Sequence, residues 1–168
     1  KRHVGDAVEV MVVLKANAYG HGSVPVARAA LEAGASRLAV HRLLEGVILR
    51  QAGIQAPILV MGYTPPDGAG QMVDWRLTPA VTTMEFARAL SARSSAAGVV
   101  APVHVKVDTG MSRYGLMPEE ALEFLQAIGQ LPGIYLEGLF THFATADWSD
   151  QRYVLEQLDA FNKLLAVL

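Results

Sequence analysis

Lys15 follows the apolar run Val10 to Leu14 without a break. An amine partly withdrawn from water loses its proton more readily, and a neutral amine is the nucleophile that Schiff-base chemistry with an aldehyde requires. The same position also suits a strand-end lysine that carries its ammonium to solvent along an apolar stem. Gly20-His21-Gly22 comes next, and its glycines open backbone angles closed to other residues. His21 is there either an acid/base group or a passenger in a tight turn. His104, Lys106 and Asp108 share one side of a strand by the alternation of side chains. Such a polar row fits a barrel or cleft interior, or the solvent face of an edge strand. Arg113, in a glycine-bearing loop, can clamp an anion or phenolate or stay solvated. His142 ends a strand, where a structural histidine is equally ordinary.

Other chemistries lack their residues. The histidines have neither the spacing nor the carboxylate partners of a metal site, so no metal is expected. No Gly-x-Gly-x-x-Gly follows a strand, and neither a phosphate-binding Gly-x-x-x-x-Gly-Lys-Ser/Thr nor a Gly-x-Ser-x-Gly elbow occurs.

The elements that must position these residues alternate strand and helix. Val10–Leu14, Leu38–Val40, Ile58–Met61, Leu77–Val81, Val103–Val107 and Ile134–Phe140 are short apolar runs of the kind buried on both faces. Between them the spacing predicts helices. One is capped by Ser23, with Val26, Ala27, Ala30 and Leu31 inward and Gly34 at its end. The next buries Leu43, Leu44, Val47 and Ile48 and stops at Gly53. A short turn reaches Val73 after Thr64-Pro65-Pro66-Asp67. A helix opened by Thr83 uses Phe86, Ala89 and Leu90, and another opened by Pro118 uses Leu122, Leu125 and Ile128. The last sets Val154, Leu158, Phe161, Leu165 and Leu168 on one face. Six β-α units require a parallel sheet covered by helices, either an open doubly wound sheet or a closed eight-stranded barrel. In both, ligands bind beyond the carboxyl ends of the strands, where Lys15, Arg113 and His142 fall.

Composition sets outer limits. The 168 residues are 52% hydrophobic and 18% charged, with net charge −2 and no cysteine. That suits one globular domain without a disulfide, thiolate metal or cysteine nucleophile. Nothing steers the chain to nucleic acid, and no apolar run reaches the roughly 20 residues of a membrane span. It begins with Lys1 and stops within an amphipathic helix, and is expected to be a piece of a longer protein.

The octamer Lys15-Ala16-Asn17-Ala18-Tyr19-Gly20-His21-Gly22, after Val12-Val13-Leu14, resembles the cofactor-lysine motif of the alanine racemases. Glu45-Gly46, Leu49 to Ile54 and Pro57 to Gly62 are similar to the family's next units. His104 to Met111 with Arg113-Tyr114-Gly115, and Glu137 to Ala144, are further matches in the same order. The similarity spans nearly the whole chain.

The resemblance implies an α/β fold, a TIM-type (β/α)8 barrel of which about six units are here. Residues 1–168 would be a partial pyridoxal-phosphate-binding barrel domain, with the family's C-terminal β domain outside the chain. It implies interconversion of L-alanine and D-alanine in a cytoplasmic homodimer, supplying D-alanine to peptidoglycan. Lys15 would bind pyridoxal 5′-phosphate and act as one of two acid/base groups. Tyr19 would reach the phosphate, and Arg113 the phenolic oxygen and the substrate carboxylate. His142 would lie beside the pyridine ring, and Lys106 matches a position that carries a carbamate in many members. The second base is a tyrosine of the neighbouring subunit's C-terminal domain, so the 168 residues alone are expected not to racemise alanine. Alternatives are a serine or broad-specificity racemase, a non-catalytic pyridoxal-phosphate-binding barrel, and a generic barrel. Two departures stand out: Ser112 where glycine is common, and His41-Arg42 at the entry to the second helix.

Overall fold

A computed structural model describes residues 3–168. Among them, six strands alternate with helices: β1 (Met11–Val13), β2 (Arg37–Val40), β3 (Ile58–Val60), β4 (Thr78–Val81), β5 (Ala101–Lys106) and β6 (Ile134–Phe140). They are joined and followed by α1 (Ser23–Glu32), α2 (Leu43–Gln51), α3 (Ala69–Asp74), α4 (Met84–Ala96), α5 (Pro118–Ile128) and α6 (Arg152–Leu165). Every neighbouring pair of strands is parallel, and the order across the sheet is the order along the chain. An open doubly wound sheet reverses its order at the switch point, and this one does not.

Curvature separates the two architectures that periodicity left open. Arg37 on β2 and Glu137 on β6 have three strands between them in the sheet order, yet Arg37 Nη1 donates to Glu137 Oε2 at 2.8 Å. Only a sheet curled upon itself lets those side chains meet. Met11, Arg37, Leu59, Thr78, His104 and Glu137, one from each strand, surround the same small interior space. This is the layered filling of a barrel. The register of β5 against β6 shifts from Val103↔Leu136 to His104↔Gly138, so Glu137 is the extra residue of a bulge. The bulge turns its carboxylate inward, where it also meets His104 Nε2 at 2.9 Å. The chain therefore forms six β-α units of a TIM-type barrel.

The other face of the sheet meets the helices. Leu38, Val40, Ile58, Val60, Val103 and Val105 are fully buried there, against Ala27, Leu49, Met72, Leu90 and Ile128. Three sequence expectations need correction. Ser23 begins α1 without capping it; Gly22 is the cap, and the Ser23 N–H instead donates to Asn17 Oδ1 at 2.8 Å. In α2, Leu44 and Ile48 are exposed, whereas Gly46, Val47 and Leu49 are buried. Gly46 lies against the Leu77 methyls, and Arg50 turns inward to donate to the carbonyls of Trp75, Ile54, Ala56 and Arg76. A cation that satisfies four loop carbonyls outweighs a pair of leucine-sized contacts in setting the helix's rotation. In α6, Gln157 and Leu164 are buried while Leu158 and Leu165 are exposed, and Leu168 lies exposed beyond the helix end. There too, a polar side chain with several partners sets the rotation.

Candidate active site

Lys15 leaves β1 into a turn of unusual handedness. Ala16, Asn17, Ala18 and Tyr19 have φ of 53°, 55°, 53° and 54°, a left-handed helical turn made without glycine. Each such residue costs about 1–2 kcal/mol relative to right-handed backbone, because Cβ crowds the following carbonyl. The turn persists because its polar groups are bonded. Ala18 N–H donates to Leu14 O at 2.8 Å, Gly20 N–H to Ala16 O at 3.1 Å and Gly22 N–H to Asn17 O at 2.9 Å. Ala18 is buried beneath, and Gly20 and Gly22, at φ of 91° and 92°, return the chain to α1. Lys15 is half-buried, with Nζ 5.8 Å from the centre of the Tyr19 ring. Tyr19 is 62% exposed, beyond the carboxyl end of β1.

The β5 loop adds a second set of groups. Lys106 ends β5 at 5% exposure, its ammonium 5.7 Å from the centre of the Phe140 ring. Burial is the main cause that lowers its pKa; Asp108 opposes this and Arg113 reinforces it. Asp108 Oδ1 accepts from Gly110 N–H at 3.0 Å and Ser112 N–H at 2.9 Å, and Oδ2 accepts from Arg113 N–H at 2.9 Å. Burial works to raise the Asp108 pKa, but these three bonds and the Lys106 charge overcome it and hold it at about 2. Ser112 has φ of 56°, the conformation that glycine would adopt without strain.

His142 brings the sets together. Withdrawal from water lowers its pKa first, and the charges of Arg113, Lys106 and Lys15 lower it further. The parallel order of the strands puts Lys15, Lys106 and His142 at the carboxyl ends of β1, β5 and β6, with Arg113 in the loop after β5, and all three cations act on the His142 imidazole. Asp108 stays ionised and offsets one of the three cations, which still leaves the cluster net positive and suited to anionic groups. His104 is not among them. It lies deeper in the interior with Glu137 and Arg37, so the polar row of β5 divides between a structural ion pair, a buried lysine and a loop-folding carboxylate. His21 is exposed, and its N–H closes the lysine turn on Ala18 O.

Three residues that sequence reasoning left without a role hold these loops. Glu45 Oε1 accepts from the Ala16 N–H at 2.7 Å, while Oε2 accepts from His41 and Arg42 N–H at 2.8 and 2.9 Å. Gln157, 1% exposed, donates to His142 O at 3.1 Å and Thr109 Oγ1 at 3.3 Å and accepts from Ala144 N–H at 2.9 Å. Tyr153 donates to Gly110 O at 2.7 Å. A lone glutamine between Val154 and Phe161 on an apolar helix face was the available signal for Gln157. A glutamate three residues into α2 was the signal for Glu45.

The whole chain, residues 1–168, matches the model of the alanine racemase N-terminal domain. It is 48% identical over 166 residues to the alanine racemase of Desulforamulus reducens, covering 98% of this chain and 45% of that protein. It superposes on the Clostridium difficile 630 alanine racemase in complex with cycloserine with a TM-score of 0.95 at 38% identity, covering 99% of this chain and 46% of that one. The histidine racemase of Leuconostoc mesenteroides subsp. sake superposes with a TM-score of 0.86 at 34% identity, covering 93% and 42%. The chain thus spans less than half the length of these relatives. With the barrel, the lysine turn and the matched length together, this chain belongs to the alanine racemase family and corresponds to its N-terminal domain.

Proposed function

We propose that the chain is the cofactor-bearing part of a pyridoxal-phosphate-dependent racemase that interconverts L-alanine and D-alanine. The observation that carries this reading is Lys15 on its left-handed turn, clustered with Lys106, Arg113 and His142. The residues fit the group. A half-buried primary amine suits the aldehyde, and the excess of positive charge suits a phosphate, a phenolate and a substrate carboxylate. Pyridoxal phosphate, when bound, supplies the electron sink for carbanion character at the substrate α-carbon.

In this reading the chain's own groups bind, orient and move protons. Lys15 provides the attachment amine and, once freed by substrate, moves a proton on one face of the α-carbon. Tyr19 reaches the phosphate from the rim. Arg113 holds the phenolic oxygen and the substrate carboxylate, and its position follows from the Asp108-folded loop. His142 offers a neutral imidazole beside the pyridine ring, since withdrawal from water first and neighbouring positive charge second lower its pKa. Lys106, with its pKa lowered by burial, is suited to take up carbon dioxide as a carbamate, an anion that would orient Arg113. The second proton-transfer group belongs to a partner subunit of a cytoplasmic homodimer, and the product serves peptidoglycan.

Borohydride reduction of the full-length protein with pyridoxal phosphate, followed by peptide mapping, tests the assignment. A pyridoxyl group on Lys15 is expected; its absence there rejects the cofactor reading. The similarity to a histidine racemase favours a second reading, a racemase of other or several amino acids. Turnover measured across the L-amino acids decides between them, and alanine is expected to be the preferred substrate.

A further inference from the structure

We propose that Glu45 is a positioning residue that holds the left-handed turn, and with it Lys15, in its reactive placement. Three bonds define its role. Oε2 caps α2 by accepting from the backbone N–H groups of His41 and Arg42. Oε1 reaches 29 residues back along the chain to the Ala16 N–H, at 2.7 Å. That N–H belongs to the peptide bond that joins Lys15 to the turn, so the carboxylate holds the lysine's own backbone. The turn is strained along its length, with four consecutive non-glycine residues at φ of 53–55°, and its own bonds satisfy the N–H groups of Ala18, Gly20, His21 and Gly22. The Ala16 N–H, at its start, takes its partner from α2. A carboxylate supplies this because it has acceptor capacity on both oxygens, and charge-assisted bonds are short and strong. The glutamate thereby ties the carboxyl end of β1 to that of β2.

A purely structural cap would not make the bond to Ala16. Glu120 shows this, since it occupies the same position in α5 and accepts from the Met117 N–H at its own helix start at 3.3 Å. It is the natural control. Glu45→Gln leaves one acceptor oxygen, so either Ala16 or the His41–Arg42 pair must face an amide NH2. Glu45→Ala removes both acceptors, and Glu45→Asp keeps the carboxylate on a shorter stem.

The inference rests on the proposed role of Lys15, and two readouts on the full-length protein separate the two. Hydrogen exchange of the peptide spanning residues 15–22, without added cofactor, reports the turn alone. Exchange at Ala16 is expected to quicken at least roughly tenfold in Glu45→Ala, the effect of losing a hydrogen bond to a charged acceptor. Glu45→Asp is expected to restore part of the protection, and Glu120→Gln to leave it unchanged. On the holoenzyme, the pH midpoint of the lysine-bound cofactor's visible absorption is expected to move in Glu45→Gln and to stay in Glu120→Gln. Unchanged exchange at Ala16 overturns the proposal, as does faster exchange with an unmoved midpoint. Failure of the wild type to carry cofactor on Lys15 rejects the functional reading instead, and the exchange result still decides whether Glu45 holds the turn.

Discussion

Asp108 and His142 both have lowered pKa values, which keeps the aspartate charged and the histidine neutral. The Asp108 pKa is about 2 against an ordinary value of 3.8, so its stabilising contribution is complete above pH 4. It fades as pH falls from 3.8 through the folded value, because protonation removes the acceptor of three loop N–H groups. A shift of this size corresponds to about 2 kcal/mol. Asp108→Asn is expected to lose about that much at pH 7 and little at pH 2, measured by urea denaturation at both. His142 loses stability in the same direction, over a higher pH range, because there the neutral form is the favoured one. Its pKa lies below the ordinary 6.5, so the unfolded chain binds the proton first and stability declines as pH drops below 6.5. Removing one neighbouring charge relieves this. In Lys106→Met the His142 titration midpoint, followed by NMR, is expected to rise toward 6.5. Ser112 is simpler: at φ of 56°, replacement by glycine is expected to stabilise the protein by up to about 1 kcal/mol, read from the thermal midpoint.

Elements matter here through their ends and their rotation. Helix α6 turns Gln157 inward, where one amide ties the loop after β5 to the loop after β6. Gln157→Leu fits the surrounding Val154 and Phe161 in character but strands the half-buried Ala144 N–H and the His142 carbonyl. Each orphaned group costs about 1–3 kcal/mol. The variant is expected to lose roughly 2–4 kcal/mol of stability in chemical denaturation, with the His142 loop exchanging hydrogen faster. A glutamine at that position looks like a breach of an apolar stripe, yet it fixes which stripe is buried. The same holds for Arg50, whose four carbonyl bonds rotate α2 away from the leucine pattern.

At the scale of the molecule, the contact that crosses the barrel is the ion pair between Arg37 and Glu137, shared with His104 and Glu9. It lies at the amino end of the strands, remote from the lysine turn, so its role is closure. Removing one partner leaves a poorly solvated charge, and Arg37→Met is expected to cost about 1–3 kcal/mol. The double variant Arg37→Met with Glu137→Leu is expected to recover part of that loss, and a double-mutant cycle in urea measures the coupling.

Much of this protein is written locally. Apolar runs with β-branched residues, spaced by helix-length segments, dictate six β-α units because strands buried on both faces leave no other solution. Lys15, Arg113 and His142 could be placed at the carboxyl ends of their strands for the same reason, and the octamer from Lys15 to Gly22 carried the family likeness. Closure was not written there, since an open sheet and a barrel share one periodicity. Arg37 and Glu137, a hundred residues apart, decided it by meeting across the interior. Nor did the sequence reveal that Ala16 to Tyr19 wind left-handed, because nothing in alanine or asparagine favours four such residues in a row. Glu45 and the packing over Ala18 impose that conformation. Helix rotation was misread for α2 and α6 for a related reason: hydropathy counts Arg50 and Gln157 as outward, whereas buried carbonyls and N–H groups from distant loops draw them in. Segments whose energetics are local were therefore fixed by sequence, and those that depend on partners far along the chain were fixed by the fold.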